Sequence, residues 1–153
     1  MNFHDYFEYK NGHLFWKVST NQKIKIGQKA GGGIRYENVK INKKSYLSHK
    51  VIFAMHYGYM PKEIDHVDCN KFNNKIENLR EATREENQWN RKLQKNNKSG
   101  VKNVSFDTKT NKWKVQIRTN GIKKYIGVFK DLELAELVAI EARNKFHGNF
   151  AKH

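Results

Sequence analysis

The sequence predicts an α+β fold: a β-rich N-terminal region followed by a three-stranded antiparallel sheet packed on one helix. Three observations lead there. Short aromatic or alternating runs flank Asn-Gly pairs, which is the pattern of hairpins. Stretches with helical spacing follow strand pairs, at 48–57 and at 132–146. The chain has 153 residues, the length of one ordinary domain or two small ones.

The elements follow in order. Residues 6–10 and 13–18 are aromatic-rich runs on either side of Asn11-Gly12, whose residue types accept the positive φ of a tight turn. Gly31-Gly32-Gly33 reads as a flexible turn. Residues 34–41 and 45–47 read as a second strand pair around Asn42-Lys43-Lys44. Residues 48–57 have helical spacing, with Val51, Ile52, Phe53, Ala54 and Met55 supplying an apolar face. Residues 63–67 form a short strand, 68–78 an Asn-rich loop and 79–82 a second strand. Thr83-Arg84-Glu85-Glu86 is a capping box that opens a helix. Residues 90–100 hold one large apolar side chain, Leu93, and read as a helix tail running into a linker. The domain join is therefore expected near residue 97, giving units 1–96 and 97–153.

In the second unit, residues 102–106, 112–118 and 123–129 read as three strands, with Asn120-Gly121 as the second turn. In the middle strand Trp113, Val115 and Ile117 alternate with Lys114, Gln116 and Arg118, so one face is apolar and the other basic. Trp113 and Phe129 are expected in the core. Residues 132–146 form a helix capped by Asp131 and stopped at Gly148, with Leu134, Leu137, Val138 and Ala142 expected toward the sheet.

Charge and composition narrow the function. Lys and Arg number 30 against 15 Asp and Glu, a net charge of +15. A surface with that excess attracts polyanions, nucleic acid first and anionic membranes second. No stretch pairs a basic face with a greasy one, as a membrane-surface helix requires. No apolar run is long enough to span a bilayer, and no secretory signal is evident, so a cytoplasmic setting is expected. The single cysteine, Cys69, excludes an intrachain disulfide framework and a thiolate-rich zinc cage.

The segment 63–87 is dense in Asp, Asn and His within an otherwise basic chain. Asp65 and His66 fall on its first strand, Asn78 at the end of the loop, and Asn87 in the first turns of the helix. With Ser48-His49-Lys50 ahead and Asn87-Gln88-Trp89-Asn90-Arg91-Lys92 behind, this stretch resembles the HNH nuclease motif. Its relatives are the ββα-metal kind found in phage and intron homing endonucleases, and the motif spans about residues 63–93. The last motif position, often His, is Asn87 here, as in some homing members. The resemblance implies that His66 is the general base and that Asp65 and Asn87 hold one divalent ion. Hard oxygen donors suit Mg²⁺ or Mn²⁺. It also implies that Asn78 fixes the loop and the His66 ring. By residue type alone, His49 and His56 read as structural. His4, His13, His147 and His153 read as surface or terminal residues. Asp68, Asn70, Asn73 and Asn74 read as loop formers.

Residues 98–151 resemble the ethylene-response-factor type of DNA-binding domain, through Ser99-Gly100-Val101, Lys112-Trp113, Gln116-Ile117-Arg118, Tyr125-Ile126-Gly127-Val128-Phe129 and Ala135. That resemblance implies a sheet lying in the major groove, with Lys102, Lys114, Gln116, Arg118, Lys123 and Tyr125 toward double-stranded DNA. Lys92, Lys95 and Lys98 would add phosphate contacts from the linker. Together the two resemblances imply a metal-dependent endonuclease of duplex DNA, in a homing or nicking role, acting in a bacterial host cytoplasm. Two other readings remain open at this point: a DNA-binding regulator without catalysis, and an RNA-binding or nucleic-acid-coating protein.

Overall fold

The computed structural model describes residues 2–153. The chain divides into two compact units, 1–83 and 84–153. The division falls ahead of the helix that the capping box opens, whereas the sequence suggests a join near residue 97. The reason lies in that helix, α2 (Arg84–Trp89), and its partners within the second unit. The indole of Trp89 stacks on the His147 ring at 4.2 Å and 10°. The Glu85 carboxylate accepts hydrogen bonds from Asn120 N and Gly121 N at 3.1 and 2.9 Å.

In the first unit, β1 (Phe7–Lys10), β2 (His13–Trp16) and β3 (Lys29–Ala30) form a sheet in that order. The turn between β1 and β2 uses Asn11 at φ 48° and Gly12 at φ 86°, as the sequence predicts. Strand β3 is an addition that the sequence did not signal, since two residues are too few to show a period. A second hairpin joins β4 (Asn38–Ile41) to β5 (Lys44–Leu47). It turns on Asn42 and Lys43, at φ 48° and 65°, so Lys44 lies in the strand and not in the turn. The expected strand start at Ile34 is also displaced: Ile34 is exposed, and β4 begins at Asn38. The intervening loop is tight, because a Cβ at Gly33 (φ 141°) would overlap the Tyr36 carbonyl oxygen.

Helix α1 (Ser48–Tyr57) follows, closed by Gly58 in the left-handed region with its N–H on the Ala54 carbonyl at 2.9 Å. Then β6 (Ile64–His66) pairs antiparallel with β7 (Leu79–Glu81), placing Asp65 opposite Arg80 and His66 opposite Leu79. One core gathers Phe7, Leu14, Trp16, Val39, Ile41, Val51 and Ile52, and Ile64 and Leu79 extend it under the β6–β7 hairpin. That apolar footing fixes the hairpin from which Asp65 and His66 project.

In the second unit, β8 (Val104–Asp107), β9 (Lys112–Thr119) and β10 (Ile122–Phe129) form an antiparallel sheet in the order β10-β9-β8. Helix α3 (Leu132–His147) packs against it. Asp131 caps α3 by accepting from Glu133 N and Leu134 N at 2.6 and 3.1 Å. The face that α3 turns inward agrees with expectation at Val138 and Ala142 and differs at the two leucines. Leu134 and Leu137 are 49% and 61% exposed, while Ala135, Ala139 and Ala142 are buried with Val138 partly so. Small side chains at positions 135 and 139 let the helix pack against Val104 and Val115. Trp113 and Phe129 pack at the edge of this core, as expected. Among the described residues no helix is long and apolar enough to cross a membrane.

Candidate active site

Strand β6 is short and buried along its whole length, so Asp65 and His66 are both withdrawn from solvent. A buried carboxylate needs a partner. Arg80, its cross-strand neighbour, supplies one: Nε and Nη2 reach Asp65 Oδ2 at 2.8 and 2.7 Å. Both contacts fall on one carboxylate oxygen, and they fix the orientation of the Asp65 side chain on the buried strand.

The His66 ring is held from the loop. Its Nε2 lies 3.0 Å from Asn74 Oδ1, and Asn74 is 1% exposed. The Asn74 amide in turn donates from Nδ2 to Glu37 Oε2 at 3.2 Å, and Glu37 pairs with Lys29 Nζ through Oε1 at 3.1 Å. Neither Asn74 nor Glu37 stood out in the sequence. Asn74 sits in a run of asparagines that all read as loop formers. Glu37 is far away along the chain and isolated among turn residues. The capacity of asparagine to donate and accept at once is the signal that could have singled out Asn74.

Asn78 does the other half of the loop's work. Its side chain accepts from Asp68 N at 3.0 Å and donates to Asp68 Oδ1 at 2.9 Å and to the Asn73 carbonyl at 2.8 Å. Its backbone carbonyl accepts from Val67 N at 3.0 Å, which ties the loop's end to its beginning. Partial burial pushes the Asp68 carboxyl up. Hydrogen bonds from Asn73, Asn70 N and Asn78, with the His66 ring nearby, outweigh it and leave Asp68 below the ordinary carboxylate range. The expected bond that fixes the His66 ring therefore comes from Asn74, four positions earlier, while Asn78 braces the loop. Outside the loop, Tyr9 Oη accepts from Ile76 N at 3.1 Å, and a Cβ at Gly12 would meet Lys75 N at 3.0 Å. The first hairpin is thus a buttress behind the Asn-rich loop.

His49, on the first turn of α1, packs its ring edge-on against His66, with centroids 5.1 Å apart. On another side it meets the ring of Tyr36 at 5.4 Å. It is 4% exposed and its Nδ1 is buried without a hydrogen-bond partner. Burial, then the His66 ring and Lys50, lower its pKa to about 3. His49 is accordingly an uncharged wall beside His66.

Asn87 stands on α2, in the second unit, half buried. The other expected site residues also fall in that unit. Cross-strand register sets Arg118 opposite Lys123 and Gln116 opposite Tyr125, and Lys114 opposite Ser105. These side chains share the face of the sheet opposite Val115 and Ile117. Lys102 departs from expectation: it precedes β8, and its ammonium donates to the carbonyls of Trp89 and of Arg91, the latter at 2.8 Å. Carbonyls at a helix C-terminus attract a cation, so α2 captures this lysine. Lys92, Lys95 and Lys98 are exposed along the irregular stretch after α2.

The described residues contain no group of three His, Cys, Asp or Glu that could hold a metal, so a closed zinc-type cage is absent from them.

The model for the HNH endonuclease family matches residues 46–89, from the end of β5 through α2. The chain belongs to the HNH endonuclease family, whose domains use a divalent metal ion and act on DNA. An uncharacterized HNH endonuclease of Acanthamoeba polyphaga mimivirus, L560, is 31% identical over 139 residues, covering 89% of this chain and 68% of the relative. Protein 3.8 of Escherichia phage T7 is 34% identical over 113 residues, covering 71% of this chain and 91% of the relative. No solved structure matches the chain significantly.

Proposed function

We propose that this chain is a phage-type endonuclease that hydrolyses phosphodiester bonds of duplex DNA at the β6–β7 hairpin, in a homing or nicking role. The observation that carries this reading is the Asp65-His66 pair. Consecutive positions of one buried strand hold a carboxylate braced by Arg80 and an imidazole braced by Asn74. Hydrolysis requires a group that takes a proton from water, and imidazole is the side chain best suited to that near neutral pH. In this reading His66 accepts that proton, and Asn78 acts indirectly by keeping the loop closed.

Asp65 and Asn87 are the oxygen donors assigned to one divalent ion, Mg²⁺ or Mn²⁺. When bound, such an ion stabilises charge on the phosphate and on the departing 3′ oxygen. The remaining work belongs to the protein's own groups: Arg80 orients Asp65, and the buried wall of His49 limits water around His66.

The basic face of the second unit, with Lys114, Gln116, Arg118, Lys123 and Tyr125, is the DNA-reading surface in this proposal, as in ethylene-response-factor domains. Arg and Gln can pair bidentately with guanine and adenine in the major groove. Lys92, Lys95 and Lys98 contribute phosphate contacts, whereas Lys102 is committed to backbone carbonyls and is left out. A viral and a phage relative support action on DNA in the cytoplasm of an infected host.

The test is conversion of supercoiled plasmid to nicked or linear product, with Mg²⁺, with Mn²⁺ and with chelator. Metal-dependent cutting is expected. Tight DNA binding without any cutting in either metal would replace this reading with that of a non-catalytic regulator.

A further inference from the structure

We infer that Asn74, oriented by Glu37, is a positioning residue that fixes the His66 ring in the tautomer protonated at Nε2, leaving the lone pair on Nδ1. The inference rests on the reading of His66 as the proton acceptor and deepens it by naming the atom and the groups that select it.

The reasoning begins at Lys29. Its ammonium pairs with Glu37 Oε1 at 3.1 Å, and a carboxylate so paired offers only acceptor oxygens to its other neighbours. The group facing its other oxygen, 3.2 Å away, must therefore be the NH₂ of Asn74. A flipped amide would set two acceptors against each other inside the protein and leave both unmet. With the NH₂ committed to Glu37, the carbonyl oxygen Oδ1 faces His66 Nε2 at 3.0 Å. Oδ1 has no proton to give, so Nε2 must carry the hydrogen. In the neutral ring the basic nitrogen is then Nδ1.

The supporting structure is specific to this task. The loop that delivers Glu37 turns at Gly33, where a Cβ would overlap the Tyr36 carbonyl, and Glu37 O anchors the start of α1 by accepting from Ser48 N at 2.9 Å. Asn74 is among the most completely buried side chains of the unit, although it is polar and lies in an exposed loop. The side chains of two neighbouring asparagines, Asn70 and Asn73, bond within the loop itself, to Phe72 N and to Asp68. The network also ties the β3 strand and the β4 approach to the nuclease hairpin through side chains instead of apolar packing.

The experiment uses the full chain with ¹⁵N-labelled histidine and long-range proton–nitrogen correlation at alkaline pH, where imidazole rings are neutral. Wild type is expected to show His66 protonated at Nε2 alone. Asn74→Ala and Glu37→Ala are each expected to give a mixture of both tautomers and to lower kcat about 10–100-fold with KM little changed. The paired change Asn74→Asp with Glu37→Gln keeps an acceptor toward His66 and a donor–acceptor contact behind it. It is expected to recover much of the loss, and it serves as the folded control if the alanine variants are unstable. In a His66→Ala background, Asn74→Ala should cost nothing further. An Nδ1-protonated ring in wild type, or an unchanged tautomer in both alanine variants, overturns the inference. Failure of the base reading looks different: His66→Ala would retain full activity while the tautomer spectrum stayed as expected.

Discussion

Single side chains around the β6–β7 hairpin divide the labour of holding the site. Asn78 braces the loop by three side-chain hydrogen bonds, to Asp68 N, Asp68 Oδ1 and the Asn73 carbonyl. Replacing Asn78 by Ala removes the side-chain partner of Asp68 N and of the Asn73 carbonyl and one of the donors to Asp68 Oδ1. A loss of about 1–3 kcal/mol in unfolding free energy is expected, measured by urea denaturation. A change under about 0.5 kcal/mol would mean that water substitutes fully.

His49 gives the molecule a pH dependence whose sign follows from burial. Its folded pKa is lowered from 6.5 to about 3, with the His66 ring, Lys50 and the Tyr36 ring around it. The unfolded chain therefore binds a proton below pH 6.5 that the folded protein refuses. The stabilising contribution is complete above pH 6.5 and declines as pH falls toward 3, at up to about 1.4 kcal/mol per pH unit. Unfolding free energies at pH 7.5 and pH 5 should differ accordingly, and His49→Phe should flatten the difference. An equal slope in the variant would assign the effect to other groups.

At this scale the sequence was partly informative. Asp65, His66 and Asn78 could be picked out because they match the HNH motif within a segment dense in Asp, Asn and His; by residue type alone Asn78 reads as a turn residue. Asn74 and Glu37 could not, because their importance lies in which atoms face each other across 37 residues of chain, and no local pattern encodes that. His147 read as terminal, yet it is buried under Trp89 and bonded to the Arg118 carbonyl at 3.0 Å.

The elements were easier to read than the faces they bury. Asn-Gly turns set two hairpins, because few other residue pairs accept consecutive positive φ values without strain. The third hairpin turn, Asn42-Lys43, lacks glycine and so drew the predicted turn one residue too far. In α3 the leucines suggested one face and the alanines occupied the core, because close helix–sheet approach favours small side chains over large ones. Ala139→Leu is therefore expected to destabilise the second unit by about 1–3 kcal/mol through overpacking. Leu137→Ala, on the exposed side, should stay within about 0.5 kcal/mol. Urea midpoints of the two variants measure the contrast, and the reverse order would contradict the observed packing.

The whole molecule joins a nuclease hairpin to a strongly basic C-terminal half. Residues 91–153 hold 15 basic and 5 acidic side chains, against 15 and 10 in residues 1–90. If the face bearing Arg118 and Lys123 lies on DNA, replacing both by Ala should weaken binding. It should also flatten the plot of log affinity against log salt by about one unit for each phosphate that is no longer neutralised. An unchanged salt slope would remove that face from the interface. The sequence could suggest this division because charge and composition shift along the chain.

The most direct measurement of the central claim is single-turnover cleavage of duplex DNA by the full chain and by His66→Ala, with DNA affinity measured in parallel. Cleavage should fall at least about 100-fold in the variant, the low end of what a general base contributes, while affinity changes less than about threefold. Cleavage that persists at the wild-type rate would contradict the assignment of His66 as the group that activates water.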